Sequence, residues 1–173
     1  MAETHRVARQ RRPFVAADAL LKAYAASARV NQYLVQELPA AVWRAPSPLP
    51  RGRGRTIAAL VAHLHNCGLR YLERTAPGVS VPAELDRIRV TPAQAARALG
   101  AKRRAVLAIV GTALRGDGRI AGFPYDAAGY LAYYMVHDAH HRGQIVLQAR
   151  LLGHPISRQT MIGMWQWSKR ARE

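Results

Sequence analysis

Residues 136–144 read VHDAHHRGQ, placing His137, His140 and His141 within five positions. Imidazole changes charge near neutral pH and is the commonest nitrogen ligand for a metal ion. Two histidines at i and i+4 of a helix turn their rings towards one point, the spacing that puts two nitrogens on one cation. Types and spacing alone allow three readings: a polar surface, a set of buried hydrogen-bonders, or metal ligands. A metal that performs chemistry usually has three protein ligands and an open position. The third ligand would have to come from another element.

The neighbouring residues indicate where the rings point. Taking about 100° per residue with His137 as origin, His141 falls near +40° and His140 near −60°. Tyr134, Ile145 and Leu152 lie at about +60° to +80°, and Tyr133, Leu147 and Leu151 at about −40° to −80°. Asp138, Arg142 and Arg150 fall between about +100° and −140°, on the far side. The histidines are therefore expected in the middle of an apolar arc, which excludes the polar-surface reading. Gln144 and Gln148 continue the line near −20° and +20°. A buried polar stripe of this kind is costly unless each group has a partner. Tyr130 and Tyr134 are near enough to serve as partners, so core hydrogen bonding and metal ligation both stay open.

The remaining histidines narrow the search for a third ligand. His5 lies near the chain start and His154 just beyond the helix stop, which leaves VAHLHNC, residues 61–67. There Ile57, Leu60, Leu64 and Tyr71 define an apolar arc with His63 at its edge and His65 nearly opposite. His63 is the better inward-facing residue. Cys67, one turn later, is a soft donor, but a lone cysteine on a helix is more often packing. The string HDAHH at 137–141 also invites comparison with the H-E-x-x-H of zinc proteases. Aspartate is one methylene shorter than the glutamate base that chemistry needs, and no later glutamate offers a third ligand in a suitable context.

These residues need elements to hold them. Phe14, Leu20, Leu21, Tyr24, Val30, Tyr33 and Leu34 recur at helical spacing, predicting a helix over 14–38 that Pro39 ends. Thr56 is a good N-cap for a second helix to about Arg74, and Thr91 with Pro92 opens a third to about Leu114. Asp126 caps a fourth over 127–152, stopped by Gly153 and Pro155. A short fifth helix is expected from Ser157, carrying MWQW. The runs RAPSPLPRGRGR and RGDGRIAGFP read as loops. Without period-two alternation, the expected fold is an all-α, four-helix bundle with a short extra C-terminal helix. Residues 1–12 read as a basic flexible arm and 13–173 as one domain.

The chain carries 26 basic residues against 10 acidic, a net charge of +16. Only Lys22, Lys102 and Lys169 are lysines; the rest of the positive charge is arginine. Such a surface attracts anions, nucleic acid among them. The arginines are spread along the chain, however, rather than gathered in one stripe. One cysteine excludes an internal disulfide framework and fits a reducing cytoplasm. No apolar run reaches the ~18 residues of a membrane span. RQRRPFVAADALLKAYAASA resembles a twin-arginine export signal, but Asp18 and Lys22 interrupt its apolar stretch, so a cytoplasmic location is expected.

TIAALVAHLHNCGLRYL, followed some seventy residues later by VHDAHHRGQIVLQARLLGHP, resembles the DinB/YfiT-like superfamily. YAASARVNQYLVQEL looks like that family's opening helix, and the resemblance covers roughly residues 14–168. It implies a four-helix bundle whose chain order differs from simple up-down-up-down. It also implies a divalent metal, zinc or nickel, held by His63, His137 and His141, with His140 a neighbour. Many relatives have glutamate where this chain has Asp138.

Three neutral imidazoles leave a divalent cation its full charge and an open position. That charge lowers the pKa of bound water to ~7 or holds a thiol as thiolate. The resemblance implies a metal-dependent enzyme, most concretely a transferase using a low-molecular-weight thiol on a small-molecule substrate, with hydrolysis as the close second. Tyr134, Asp138, His140, Gln144 and Arg70 are the candidates for supporting the ligands or touching substrate, and Arg142 is a further candidate for a carboxylate. Related proteins of this kind are often homodimers. MIGMWQW could close the open end of the bundle or pack a dimer. The rival reading is a non-enzymatic, basic nucleic-acid-associated protein with structural histidines, resting on the net charge, the RQRR arm and the RGRGR loop. Neither basic run has the interleaved aromatics of a single-strand-binding surface.

Overall fold

The computed structural model describes residues 13–49 and 54–173. The expected arm at 1–12 lies outside them. Helix α1 spans Ala16–Glu37, α2 Ala40–Trp43, α3 Ile57–Thr75, α4 Pro92–Arg115, α5 Ala127–Leu151, α6 Arg158–Trp165 and α7 Trp167–Arg170. There is no strand among the described residues; Arg119 and Asp126 form an isolated bridge.

Local chemistry accounts for the helix ends. Thr56 Oγ1 accepts from the Ala59 amide at 3.1 Å, and Asp126 Oδ1 from the Gly129 amide at 2.9 Å. Thr91 and Gln94 form a reciprocal capping box at the start of α4, satisfying two amides that no helical carbonyl can reach. Such caps are worth about 1 kcal/mol each. Gly153, with φ of 80°, follows α5 in the left-handed region that a β-carbon disfavours. The helix bounds thus match expectation closely, apart from α2 and α7, single turns too short to leave a periodic signal.

The four long helices do not pack in chain order. α1 lies against α4 and α5, and α3 against the same two. Around the bundle the order is therefore α1, α4, α3, α5, as the resemblance implied. One core cluster gathers Leu34, Trp43, Ile57, Leu64, Leu99 and Ile145. The other gathers Tyr24, Leu69, Leu72, Val106, Tyr130 and Tyr134. Burying an aliphatic side chain of this size stabilises by roughly 1.5–3 kcal/mol. Trp43 and Asn66 fasten the α3–α4 connection: Trp43 Nε1 donates to Val90 O at 2.9 Å, and Asn66 exchanges two bonds with Leu85.

The C-terminal helices lie along the side of α1. The Arg170 guanidinium stands 4.1 Å from the Tyr33 ring centroid. Gly163 admits this approach, since a β-carbon there would fall 2.3 Å from the Tyr33 hydroxyl. Trp165 stays 77% exposed.

Candidate metal centre

Because α3 and α5 are neighbours, His63 comes to face His137 and His141. One ligand nitrogen from each of the three lies within 4.8 Å of the others. Ring centroids are 4.8 Å apart for His63 and His141, 4.6 Å for His137 and His141, and 5.9 Å for His63 and His137. His141 is buried, while His63 and His137 are half-buried. A cleft of about 310 Å³ opens beside His141, which lines it together with Leu49, Leu60, Gln144, Leu147 and Leu151.

His137 and His141 sit at the margin of the buried face of α5, not at its middle as the helical wheel suggested. Tyr133, Leu147 and Leu151 are 39%, 56% and 55% exposed, whereas Asp138, expected on the solvated side, is 1% exposed. The buried arc is rotated towards Asp138 because its charge is matched from another helix. Asp138 Oδ1 accepts from Lys102 Nζ of α4 at 3.3 Å, and Oδ2 from Asn31 Nδ2 of α1 at 2.6 Å. A wheel drawn for α5 alone has no view of either partner. Burial raises the Asp138 pKa, but Lys102, with His137, Arg142 and Asn31, outweighs it and holds the carboxyl below its ordinary value.

Lys102 was missed in the sequence, although it is one of three lysines in an arginine-rich chain. Its ammonium also donates to Leu64 O at 3.0 Å. It therefore ties α4 to α3 beside His63 and to α5 beside His137. Gly68 makes the space, since a β-carbon there would lie 2.8 Å from Lys102 Cδ and 3.0 Å from the Tyr134 ring.

Hydrogen bonds to Gln144 set the tautomers of His140 and His141. Gln144 Oε1 lies 2.8 Å from His141 Nδ1, so that nitrogen carries the proton and Nε2 keeps its lone pair. The Gln144 amide then donates to His140 Nε2 at 3.0 Å, leaving His140 exposed and outside the trio. His137 Nδ1 lies 3.6 Å from Asp138 Oδ1, longer than a hydrogen bond but close enough for attraction. Burial first, then the charge of Arg55, lowers the His63 pKa to about 4. Burial lowers that of His141 as well, against the raising effect of Gln144. Both rings are neutral at pH 7, the state that ligates metals.

The other sequence candidates lie as follows. Tyr134 is buried, with its hydroxyl donating to Gly68 O at 2.7 Å, and burial pushes its pKa far up. Arg70 is exposed, and Cys67 is half-buried outside the trio. Arg142 is not a solvated helix-face charge: its Nη1 donates to Asn31 Oδ1 at 2.7 Å. His65 is fully buried rather than outward, with Nε2 3.0 Å from Ala83 O. The connection between α3 and α4 folds over that flank and covers it. Gln148 donates to Arg55 O at 2.9 Å and so anchors the mouth of the cleft.

A family model of the DinB superfamily matches residues 23–145, a span that includes all three histidines. The chain belongs to the DinB superfamily. No curated protein and no solved structure matches it. In this DinB protein the donor set suits a borderline divalent cation: three imidazole nitrogens, one ring backed by an amide and one facing a carboxylate. No described helix is long and apolar enough to cross a membrane.

Proposed function

We propose that this DinB-superfamily protein is a divalent-metal-dependent enzyme whose ligands are His63, His137 and His141. The observation that carries the reading is the convergence of three imidazole nitrogens, from two helices, within 4.8 Å beside an open cleft. Zinc or nickel suits an all-imidazole set. Bound there, such an ion would supply a Lewis acid able to make a nearby thiol or water nucleophilic near neutral pH.

The surrounding residues have separable tasks in this reading. Gln144 holds His141 in the tautomer that leaves Nε2 free. Asp138 faces His137 Nδ1 and orients that ring, while Lys102 and Asn31 keep the carboxylate in place. Leu60, Leu147 and Leu151 give the cleft apolar walls that favour a small organic substrate over bulk water. The reaction we assign is transfer to or from a low-molecular-weight thiol, with hydrolysis the related alternative. Residues 13–173 act as one domain in this reading, in the cytoplasm and as a homodimer.

Metal analysis of untagged protein tests the centre. Wild type should hold about one equivalent of zinc or nickel. His63→Ala and His137→Ala should lose it and His140→Ala should keep it. Folded wild type that takes up neither metal after reloading would end the enzyme reading. The basic surface would then favour nucleic-acid binding, recognisable by affinity for DNA that collapses with salt and ignores chelator.

A further inference from the structure

Across Leu147 from the histidine cleft lies a second concave site, between α5 and the α6–α7 segment. Its volume is about 390 Å³, within the range of small-molecule sites. Val146 and Leu147 of α5 face Met161, Met164, Trp165 and Trp167 across it. Gly143 forms part of the floor, with no atom within 4 Å of where its β-carbon would stand. A larger side chain at that position would enter the site.

Arg142 and Arg150 are the charged residues of the lining, and no acid accompanies them. They lie eight residues apart on α5, about 12 Å along one flank. Arg142 belongs to a cluster in which two cations, Lys102 and Arg142, face the single carboxylate of Asp138. Positive charge is thus in excess here, and Arg142, whose Nη1 donates to Asn31 Oδ1, also lines this site. Arg150 is exposed and has no carboxylate partner among the described residues.

We propose that this site binds an amphipathic monocarboxylate. The carboxylate lies on the arginine flank, and an alkyl or aryl body crosses Gly143 to the methionines and tryptophans. Guanidinium groups match a carboxylate with paired hydrogen bonds, methionine adapts to irregular apolar shapes, and tryptophan offers a broad apolar face. The site stands apart from the three histidines and does not depend on the metal reading.

Tryptophan fluorescence of the full-length protein, titrated with octanoate and with octanamide, tests this. Trp43 is buried in the bundle with its indole nitrogen on Val90 O, so Trp165 and Trp167 report the binding. Octanoate should bind saturably and roughly tenfold more tightly than the neutral amide, the effect of a charge-assisted hydrogen bond. Gly143→Leu, which favours the helix, should abolish binding of both. Arg150→Gln should weaken octanoate alone, and His141→Ala should leave the titration unchanged, separating this site from the metal centre. Equal affinity for acid and amide, or octanoate binding that survives Gly143→Leu, would overturn the proposal. So would a wild-type dimer that Gly143→Leu turns into monomer, because the face would then belong to a second copy of the chain.

Discussion

Two polar clusters sit side by side on α5, and they are completed in opposite ways. Around Asp138, the side chains of Asn31, Lys102 and Arg142 close on one another, and the carboxylate accepts from both Asn31 and Lys102. One residue away, His137 turns with His141 and His63 so that one nitrogen of each lies within 4.8 Å of the others. Through these side chains and the Leu64 carbonyl, the first cluster joins all four long helices. The second lies beside it, with His141 on the wall of a cleft. Closure marks a structural network, and the convergence of imidazole nitrogens is the feature on which the proposed metal centre rests.

The difference can be broken most forcefully at Lys102. Lys102→Met removes the one cation hydrogen-bonded to the buried Asp138 carboxylate and should cost about 3–5 kcal/mol of stability. Urea unfolding of metal-free protein measures this; a loss below ~1 kcal/mol would mean that the network is dispensable. His141→Ala should do the reverse, weakening zinc binding at least a hundredfold (about 2.7 kcal/mol) while metal-free stability changes by less than ~1 kcal/mol. Competition with a chromogenic chelator gives the first quantity.

Asp138→Asn tests whether the two clusters are linked. It keeps the shape of the side chain, removes the charge facing His137, and should lower zinc affinity roughly ten- to a hundredfold. Unchanged affinity would confine Asp138 to holding the bundle. A pH series gives a smaller effect. Burial depresses the folded-state pKa of His63 to about 4, from an ordinary imidazole value of 6.5. Between those values the unfolded chain binds a proton that the folded chain does not. The stability tied to a neutral His63 is therefore complete above pH 6.5 and declines as pH falls through about 4. The urea midpoint of metal-free protein should drop between pH 7 and 5, and His63→Gln should flatten part of that slope. Smallest of all, His140→Ala should change zinc affinity by less than about twofold, since only its link to Gln144 is lost.

The sequence by itself determined the helices and most of the candidate site. Capping residues and helical periodicity act within one or two turns, so Thr56, Thr91, Asp126 and Gly153 set the ends of α3, α4 and α5. The i, i+4 spacing of His137 and His141 fixed that their rings converge, and the edge position of His63 made it the natural third member. The tertiary structure alone decided which face of α5 is buried. Lys102 and Asn31 reach Asp138 from 36 and 107 residues away, and their charge and hydrogen bonds draw an acid inward that the helical wheel put in solvent. His65 differs from His63 for a similar reason, because the α3–α4 connection folds over its side of α3 and supplies the Ala83 carbonyl. Local interactions choose the helices. The partner of a buried charge is chosen by long-range packing, which no single window of the chain contains.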